Sequence, residues 1–113
     1  MIQQLHILDI IPGHTAPVIH CNQNDNGDDR LVFDLRHNGQ PLAYGGSCKI
    51  EGTKPSGATF SVDGLISGTY AGGDLTSDMT NEAGDVICHL LLTDTNERIG
   101  TQNFILRVQR ESK

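Results

Sequence analysis

The sequence predicts an all-β protein, an antiparallel β-sandwich of immunoglobulin-like size with little helix. Apolar and polar residues alternate in several short runs, which is the period of a strand with one buried face. Turn-forming residues separate these runs at intervals of about 8–12 residues. The length of 113 residues suits one domain, so we expect residues 1–113 to form a single sandwich. A small closed β-barrel is the alternative.

The pattern predicts about seven short strands among eight candidate segments, of which 59–62 and 66–70 are the weakest. Residues 74–83 are the one helix-like stretch, and we expect a loop with at most a single turn, capped by Asp74. A polar turn is expected at 24–28 because Asn, Asp and Gly tolerate left-handed backbone. The strand segments are 2–10, 17–23, 31–35, 48–51, 59–62, 66–70, 86–92 and 104–108.

Two turns have specific signatures. Asn38-Gly39 between alternating runs predicts a tight hairpin turn. Lys54-Pro55-Ser56-Gly57 predicts a type I turn, with Pro at the second position and Gly at the fourth. Both turns place the flanking strands next to each other in one sheet.

The last two strands form the clearest element, a closing hairpin. A plain loop at 94–97 pairs Cys88 with Asn103 and turns Phe104 away from the core. One additional residue in the second strand corrects this, because a slip of one residue moves every side chain to the other face. We place this bulge at Gly100. The corrected register sets Cys88 opposite Phe104.

Composition excludes several classes of function. Fourteen acidic residues face eight basic ones, giving a formal charge of −6 without a Lys/Arg cluster, so we expect no nucleic-acid partner. No apolar run approaches the roughly 20 residues of a membrane span, and the first residues lack the pattern of a signal peptide. The three cysteines, Cys21, Cys48 and Cys88, are then expected to be reduced, although one disulfide with a free thiol stays possible.

The search for catalytic or metal-binding residues gives no candidate. In His20-Cys21 and Cys88-His89 the neighbouring side chains point to opposite faces of a strand, so neither pair closes on one ion. The stretch NQNDNGDD resembles a calcium loop but has Phe33 where the twelfth ligand, a Glu, belongs. No nucleophile lies in a diagnostic motif. We therefore expect no enzyme, no cofactor and no metal site.

The order of the elements resembles a known family. The runs PVIHCNQNDNGDDRLVFDLRHNGQPL, CKIEGTKPSGATF and GDVICHLLLTDTNERIGTQNFILRVQ are similar to the strands and turns of the N-terminal domain of the phage baseplate upper protein. Within the last run, Thr101, Phe104 and Val108 match the closing-strand pattern of that family. The resemblance covers roughly residues 2–110.

The resemblance implies a β-sandwich module and a non-enzymatic structural role in the virion. Its partners would be other phage structural proteins, in a homo-oligomer or larger assembly that forms in the cytoplasm of the bacterial host. Family members attach a receptor-binding apparatus and carry further segments, which the sequence does not show after Lys113. Capsid decoration or anchoring of a head fibre is therefore one alternative, and a carbohydrate- or ligand-binding sandwich is another.

The outer face of the closing hairpin is the candidate interface. The corrected register sets Ile87 opposite Ile105, although a solvated sheet face should be mostly polar. Either residues 74–83 cover these aliphatic side chains, or they form a docking surface. For a docking surface, we expect Leu91→Asp to abolish assembly and leave the domain folded. The residues of the candidate interface are Ile87, His89, Leu91, Ile105 and Arg107.

Overall fold

A computed structural model describes residues 2–11, 13, 15–23 and 29–110, and for residues 2–4 and 29 it describes the backbone alone. The expected turn at 24–28 lies outside these residues. In the described residues two sheets pack face to face and do not close into a barrel, which confirms the predicted β-sandwich. The eleven strands of this part are β1 (Ile2–Asp9), β2 (Val18–Asn22), β3 (Asp29–His37), β4 (Gln40–Pro41), β5 (Ser47–Thr53), β6 (Thr59–Asp63), β7 (Leu65–Ser67), β8 (Tyr70–Asp74), β9 (Gly84–Asp94), β10 (Glu97–Gly100) and β11 (Phe104–Gln109).

Both sheets are mixed rather than purely antiparallel. Sheet A has the strand order β1-β3-β8-β7 with β4 beside β3, and sheet B has the order β2-β11-β9-β5-β6 with β10 beside β9. The pairs β1–β3 and β2–β11 are parallel. The chain passes from β1 in sheet A to β2 in sheet B and back to β3, and such a crossover is what parallel neighbours need.

The core lies between the inner faces of the two sheets. Alternate residues of each strand point inwards, as the sequence pattern predicts for strands with one buried face. Phe33 from sheet A and Phe104 from sheet B have ring centroids 4.6 Å apart, with planes tilted by 42°. The aliphatic residues fully buried around this pair include Leu8, Ile19, Leu31, Leu35, Ile50, Leu90, Leu92 and Leu106.

Both turns form at the residues where the sequence predicts them. Asn38 and Gly39 have φ values of 52° and 86° between paired His37 and Gln40, which is the backbone of a two-residue hairpin turn. The carboxylate of buried Asp9 accepts hydrogen bonds from both amides of this turn, at 2.9 and 2.8 Å. At the other turn the Gly57 amide donates to the Lys54 carbonyl at 2.9 Å.

The single strand expected at 66–70 is wrong. The chain reverses there, with Ser67 paired to Tyr70 in the β7–β8 hairpin. Gly68 takes a φ of 61°, a left-handed backbone conformation that glycine adopts without steric cost. The sequence Gly68-Thr69 is a weaker turn signal than Asn-Gly, so the pattern did not separate the two strands.

The helix-like segment contains one helical turn, as expected. Helix α1 spans Ser77–Thr80, and its N-cap is Thr76 rather than Asp74. Leu75 and Met79 are fully buried in the core cluster. The segment therefore links sheet A to sheet B and seals the core at that point.

The corrected register of the closing hairpin is confirmed, and the bulge lies just beyond the predicted position. Gly100 pairs regularly with Leu91, whereas Phe104 pairs with Cys88. Three residues, 101–103, thus face two, 89–90. The hydroxyl of Thr101 accepts the Leu90 amide proton at 3.0 Å, so a side chain replaces the backbone acceptor where the ladder is interrupted.

Candidate docking site on the closing hairpin

An apolar row crosses the outer face of sheet B. Ile105 on β11 pairs with Ile87 on β9, as the corrected register predicts, and its other neighbour is Val18 on β2. Ile87 is 43% exposed, while Val18 and Ile105 are half-buried. Because β9 and β11 are inner strands of the sheet, their backbone is hydrogen-bonded on both sides and presents this row rigidly.

Arg107 lies beside the apolar row in a fixed orientation. Its Nε and Nη2 atoms donate to the two carboxylate oxygens of Asp85, at 2.9 and 3.2 Å. The hydrogen bonds from Arg107 hold the pKa of the Asp85 carboxyl below its usual range, and the same pair raises the pKa of Arg107. A two-pronged contact of this kind restricts the guanidinium to one orientation.

His89 lies on the other side of the row, next to a polar groove. Its Nε2 atom is 3.1 Å from Glu51 Oε1, and the hydroxyl of Ser61 reaches the other carboxylate oxygen at 3.5 Å. The groove has a volume of about 560 Å³, and its lining combines polar residues such as Thr53 and Thr59 with the apolar side chain of Ile87. The outer face of the closing hairpin, called the hairpin face below, is thus apolar in the middle and polar at its margin. This arrangement is typical of protein interfaces.

The five candidate residues do not contribute equally. Leu91 lies on the outer face but is only 8% exposed, so it offers little area to a partner. The expectation that Leu91→Asp leaves the domain folded is therefore corrected, because the substitution places a carboxylate in a nearly water-free position. Residues 74–83 direct Leu75 and Met79 into the core and leave Ile87 exposed.

The three cysteines lie on the inner faces and form no disulfide bond with each other. Burial raises the pKa of the Cys88 thiol to about 12, and it also raises the pKa of Cys48. Cys21 and Cys88 are buried while their neighbours His20 and His89 lie on the outer face, as expected for adjacent residues of a strand. The thiols act here as small apolar side chains of the core.

Among the residues that the structure describes, no three His, Cys, Asp or Glu side chains come close enough together to hold a metal ion. None of the helices in this part of the chain has the length and apolar character needed to cross a membrane. The hairpin face remains the candidate site that the sequence predicts.

Comparison with known protein families shows to which family this sandwich belongs. The family model described as the BppU N-terminal domain, from the baseplate upper protein of phages, matches residues 5–112. The chain belongs to the BppU N-terminal domain family. The resemblance stated from the sequence is thereby confirmed, and it supports a structural role for this domain in a phage virion.

A solved structure supports the fold of this BppU N-terminal domain. The N-terminal domain of phage TP901-1 ORF48 superposes with a TM-score of 0.73 at 13% sequence identity, covering 96% of this chain and 99% of that one. At this identity the match concerns the fold. No curated protein sequence matches the chain.

One residue of the apolar row was missed by the sequence reasoning. Val18 joins the row only because β2 pairs with β11 in parallel. The alternation of Ile19 and Cys21 with Val18 and His20 gives the inner and outer faces of β2, but it does not name the neighbouring strand. The polar groove was missed for the same reason, since it combines residues of three strands and the bulge.

Proposed function

We propose that this domain is a non-enzymatic adaptor or host-attachment component of the baseplate, and that it acts through protein–protein contacts. Its docking surface would be the hairpin face, defined as the outer-face residues Ile87, His89, Leu91, Ile105 and Arg107. The observation that carries the proposal is the exposed Ile87 in the middle of a sheet, at a position where a solvated face is normally polar.

The physical character of the hairpin face supports this role. The aliphatic pair Ile87 and Ile105 supplies apolar area, and Arg107 supplies a charge whose orientation is already fixed by Asp85. Docking then requires little loss of side-chain freedom, which lowers the entropic cost of association. Leu91 would contribute mainly as a support for the sheet, because it is nearly buried.

The proposal extends to partners and location. The partners would be other structural proteins of the virion, with neither nucleic acid nor a membrane as a ligand, and the domain would act as a single sandwich over residues 1–113. Assembly would take place in the cytoplasm of the bacterial host. Decoration of the capsid or anchoring of a head fibre is the competing location for the same kind of contact.

A complementation experiment tests the docking surface. A phage that lacks this gene is supplied with the wild-type protein, with Ile87→Asp or with Ala43→Asp. Ala43 is an exposed loop residue, so its substitution controls for the added charge. Loss of the Ile87 side chain from an interface is worth roughly 1.5–3 kcal/mol per subunit, or about a tenfold to hundredfold weaker contact.

Mass spectrometry of purified particles then measures how much of each variant is incorporated. We expect Ala43→Asp to be incorporated like the wild type and Ile87→Asp to be strongly depleted, with both variants folded by circular dichroism. Equal incorporation of a folded Ile87→Asp variant would contradict the docking surface.

The polar groove favours a second candidate function, the binding of a carbohydrate. Thr53, Thr59 and Ser61 present hydroxyl groups beside the Glu51 carboxylate, which suits a ligand with many hydroxyl groups. NMR titration with soluble cell-wall polysaccharide fragments of the host tests this function. Shifts confined to the groove, lost in Glu51→Ala, would support it, and no shifts at millimolar ligand would reject it.

A further inference from the structure

Sheet A carries a second apolar face, on the side of the sandwich opposite the hairpin face. Leu5, Ile7 and Leu65 are 63%, 58% and 70% exposed, more than any residue of the apolar row on sheet B. Pairing across the sheet places Leu5 and Leu65 in one row with Val32 and Gly72. The row crosses all four main strands, so it forms a continuous apolar stripe of the kind that marks interaction sites.

A notch lies in the middle of this stripe. Gly72 has no side chain to fill it, and the Leu31 carbonyl oxygen of the neighbouring strand leaves no room for a Cβ atom at this position. The notch has a volume of about 250 Å³ between Val32, Leu65 and Tyr70. It has room for one aliphatic side chain from a partner.

The charges around the stripe balance each other. Arg30 Nε is 2.9 Å from Asp74 Oδ1 at one end, and Arg36 Nη2 is 2.8 Å from Asp34 Oδ2 at the other. The chain as a whole carries a formal charge of −6, so two copies repel each other. The paired charges of this face add no like-charge contact to that repulsion.

We propose that the outer face of sheet A is a self-complementary interface for a second copy of this chain. The strand order β1-β3-β8-β7 accepts a two-fold axis parallel to the strands, between β3 and β8. Such an axis exchanges β1 with β7 and β3 with β8, as an isologous dimer requires. The residues that then face each other across the interface are Leu5 with Leu65, Val32 with Gly72, Arg30 with Asp74, and Asp34 with Tyr70.

These facing pairs are complementary in shape and in charge. Val32 of each copy enters the Gly72 notch of the other, and the exposed leucines cover each other. Arg30 meets the carboxylate of Asp74 from the second copy, so each ion pair within a chain gains an opposite charge from its partner. Aligned packing of two sheets, with an angle of about 30° between them, is a common arrangement.

The inference adds a partner to the proposed function but does not rest on the hairpin face. The two faces belong to different sheets, so substitutions on one leave the other intact. Dimer formation by the isolated domain therefore tests sheet A, whereas incorporation into particles tests the hairpin.

Sedimentation velocity at protein concentrations up to about 1 mM measures the association. We expect a dimer for the wild type, and a dissociation constant at least about a hundredfold higher for Leu65→Asp, because both copies lose an apolar contact. Ile87→Asp, the same kind of change on sheet B, should dimerise like the wild type. A monomeric wild type at this concentration, or an unchanged dimer in Leu65→Asp, would overturn the proposal.

A mixing experiment tests the facing charges independently of the leucines. Arg30→Asp and Asp74→Arg should each be monomeric, because each brings like charges together across the axis. Mixed in equal amounts they should form a heterodimer, since every facing pair is then of opposite sign. Each chain keeps its own altered pair throughout, so recovery comes only from contacts between chains, and failure to recover would overturn the two-fold arrangement.

Discussion

Asp9 and Gln102 join the two sheets through reciprocal hydrogen bonds. The backbone amide of Asp9 donates to Gln102 Oε1 at 2.9 Å, and the backbone amide of Gln102 donates to the backbone carbonyl of Asp9 at 2.8 Å. Gln102 lies in the bulge of the closing hairpin, so the end of β1 in sheet A fixes the irregular part of sheet B. The hairpin face thus depends on a contact between residues 93 positions apart.

Removing this contact should destabilise the domain. In Gln102→Ala the buried Asp9 amide loses its acceptor, and an unsatisfied buried amide costs about 1–3 kcal/mol. Gln40→Ala, an exposed residue of β4, is the control and should stay within about 0.5 kcal/mol of the wild type. Urea unfolding measures both values, and equal stability of the two variants would contradict the role of Gln102.

Leu91 and Ile87, two outer-face residues of β9, should respond differently to the same substitution. Leu91→Asp should lower the free energy of unfolding by at least about 3 kcal/mol, because it removes a buried leucine and buries a carboxylate. Ile87→Asp replaces an exposed residue and should cost about 1 kcal/mol, the span of strand propensities. Urea titration separates them, and a Leu91→Asp variant as stable as Ile87→Asp would show that Leu91 is accessible.

The Asp85 carboxyl should titrate below its usual range as long as Arg107 is present. Because the folded pKa is lowered, the pair contributes stability above the unfolded pKa of about 4 and loses it as the pH falls through the folded pKa. In Arg107→Gln the pKa of Asp85 should rise, and stability should fall less steeply below pH 4. NMR titration of the carboxyl groups measures the shift, with Lys49→Gln as a control, and an unchanged Asp85 in Arg107→Gln would rule out Arg107 as the cause.

The three buried thiols should be unreactive in the folded protein. The pKa of about 12 for Cys88 leaves almost no thiolate at neutral pH, and Cys21 and Cys48 are shielded from reagents by burial. Ellman's reagent should label none of them quickly in buffer and all three in denaturant. Rapid labelling of any thiol in buffer would show that the sandwich opens at that residue.

The sequence predicted the features that depend on short stretches of the chain. The Asn38-Gly39 turn follows from the backbone freedom of its two residues. The pairing of Cys88 with Phe104 follows from keeping apolar side chains on one face. The bulge was misplaced by one residue because its position depends on the Thr101 hydroxyl and on the contact between Gln102 and Asp9. Neither contact leaves a trace in the spacing of apolar residues.

The arrangement of the strands was beyond the sequence pattern for a related reason. Alternation shows which side chains share a face, but the neighbour of a strand depends on where the chain crosses between sheets. The sequence pattern therefore did not predict the parallel pairs β1–β3 and β2–β11. For the same reason the sequence pattern did not predict the place of Val18 in the apolar row of sheet B or the apolar stripe through Leu5 and Leu65 on sheet A.

Immunogold electron microscopy of purified virions tests whether this domain is part of the baseplate. Antibodies against this domain, applied to particles of the phage that encodes it, locate it at the baseplate, on the head or nowhere on the particle. We expect gold at the tail tip of wild-type particles and its loss from particles made with Ile87→Asp. Label on the head, or no label on intact particles, would contradict a baseplate adaptor.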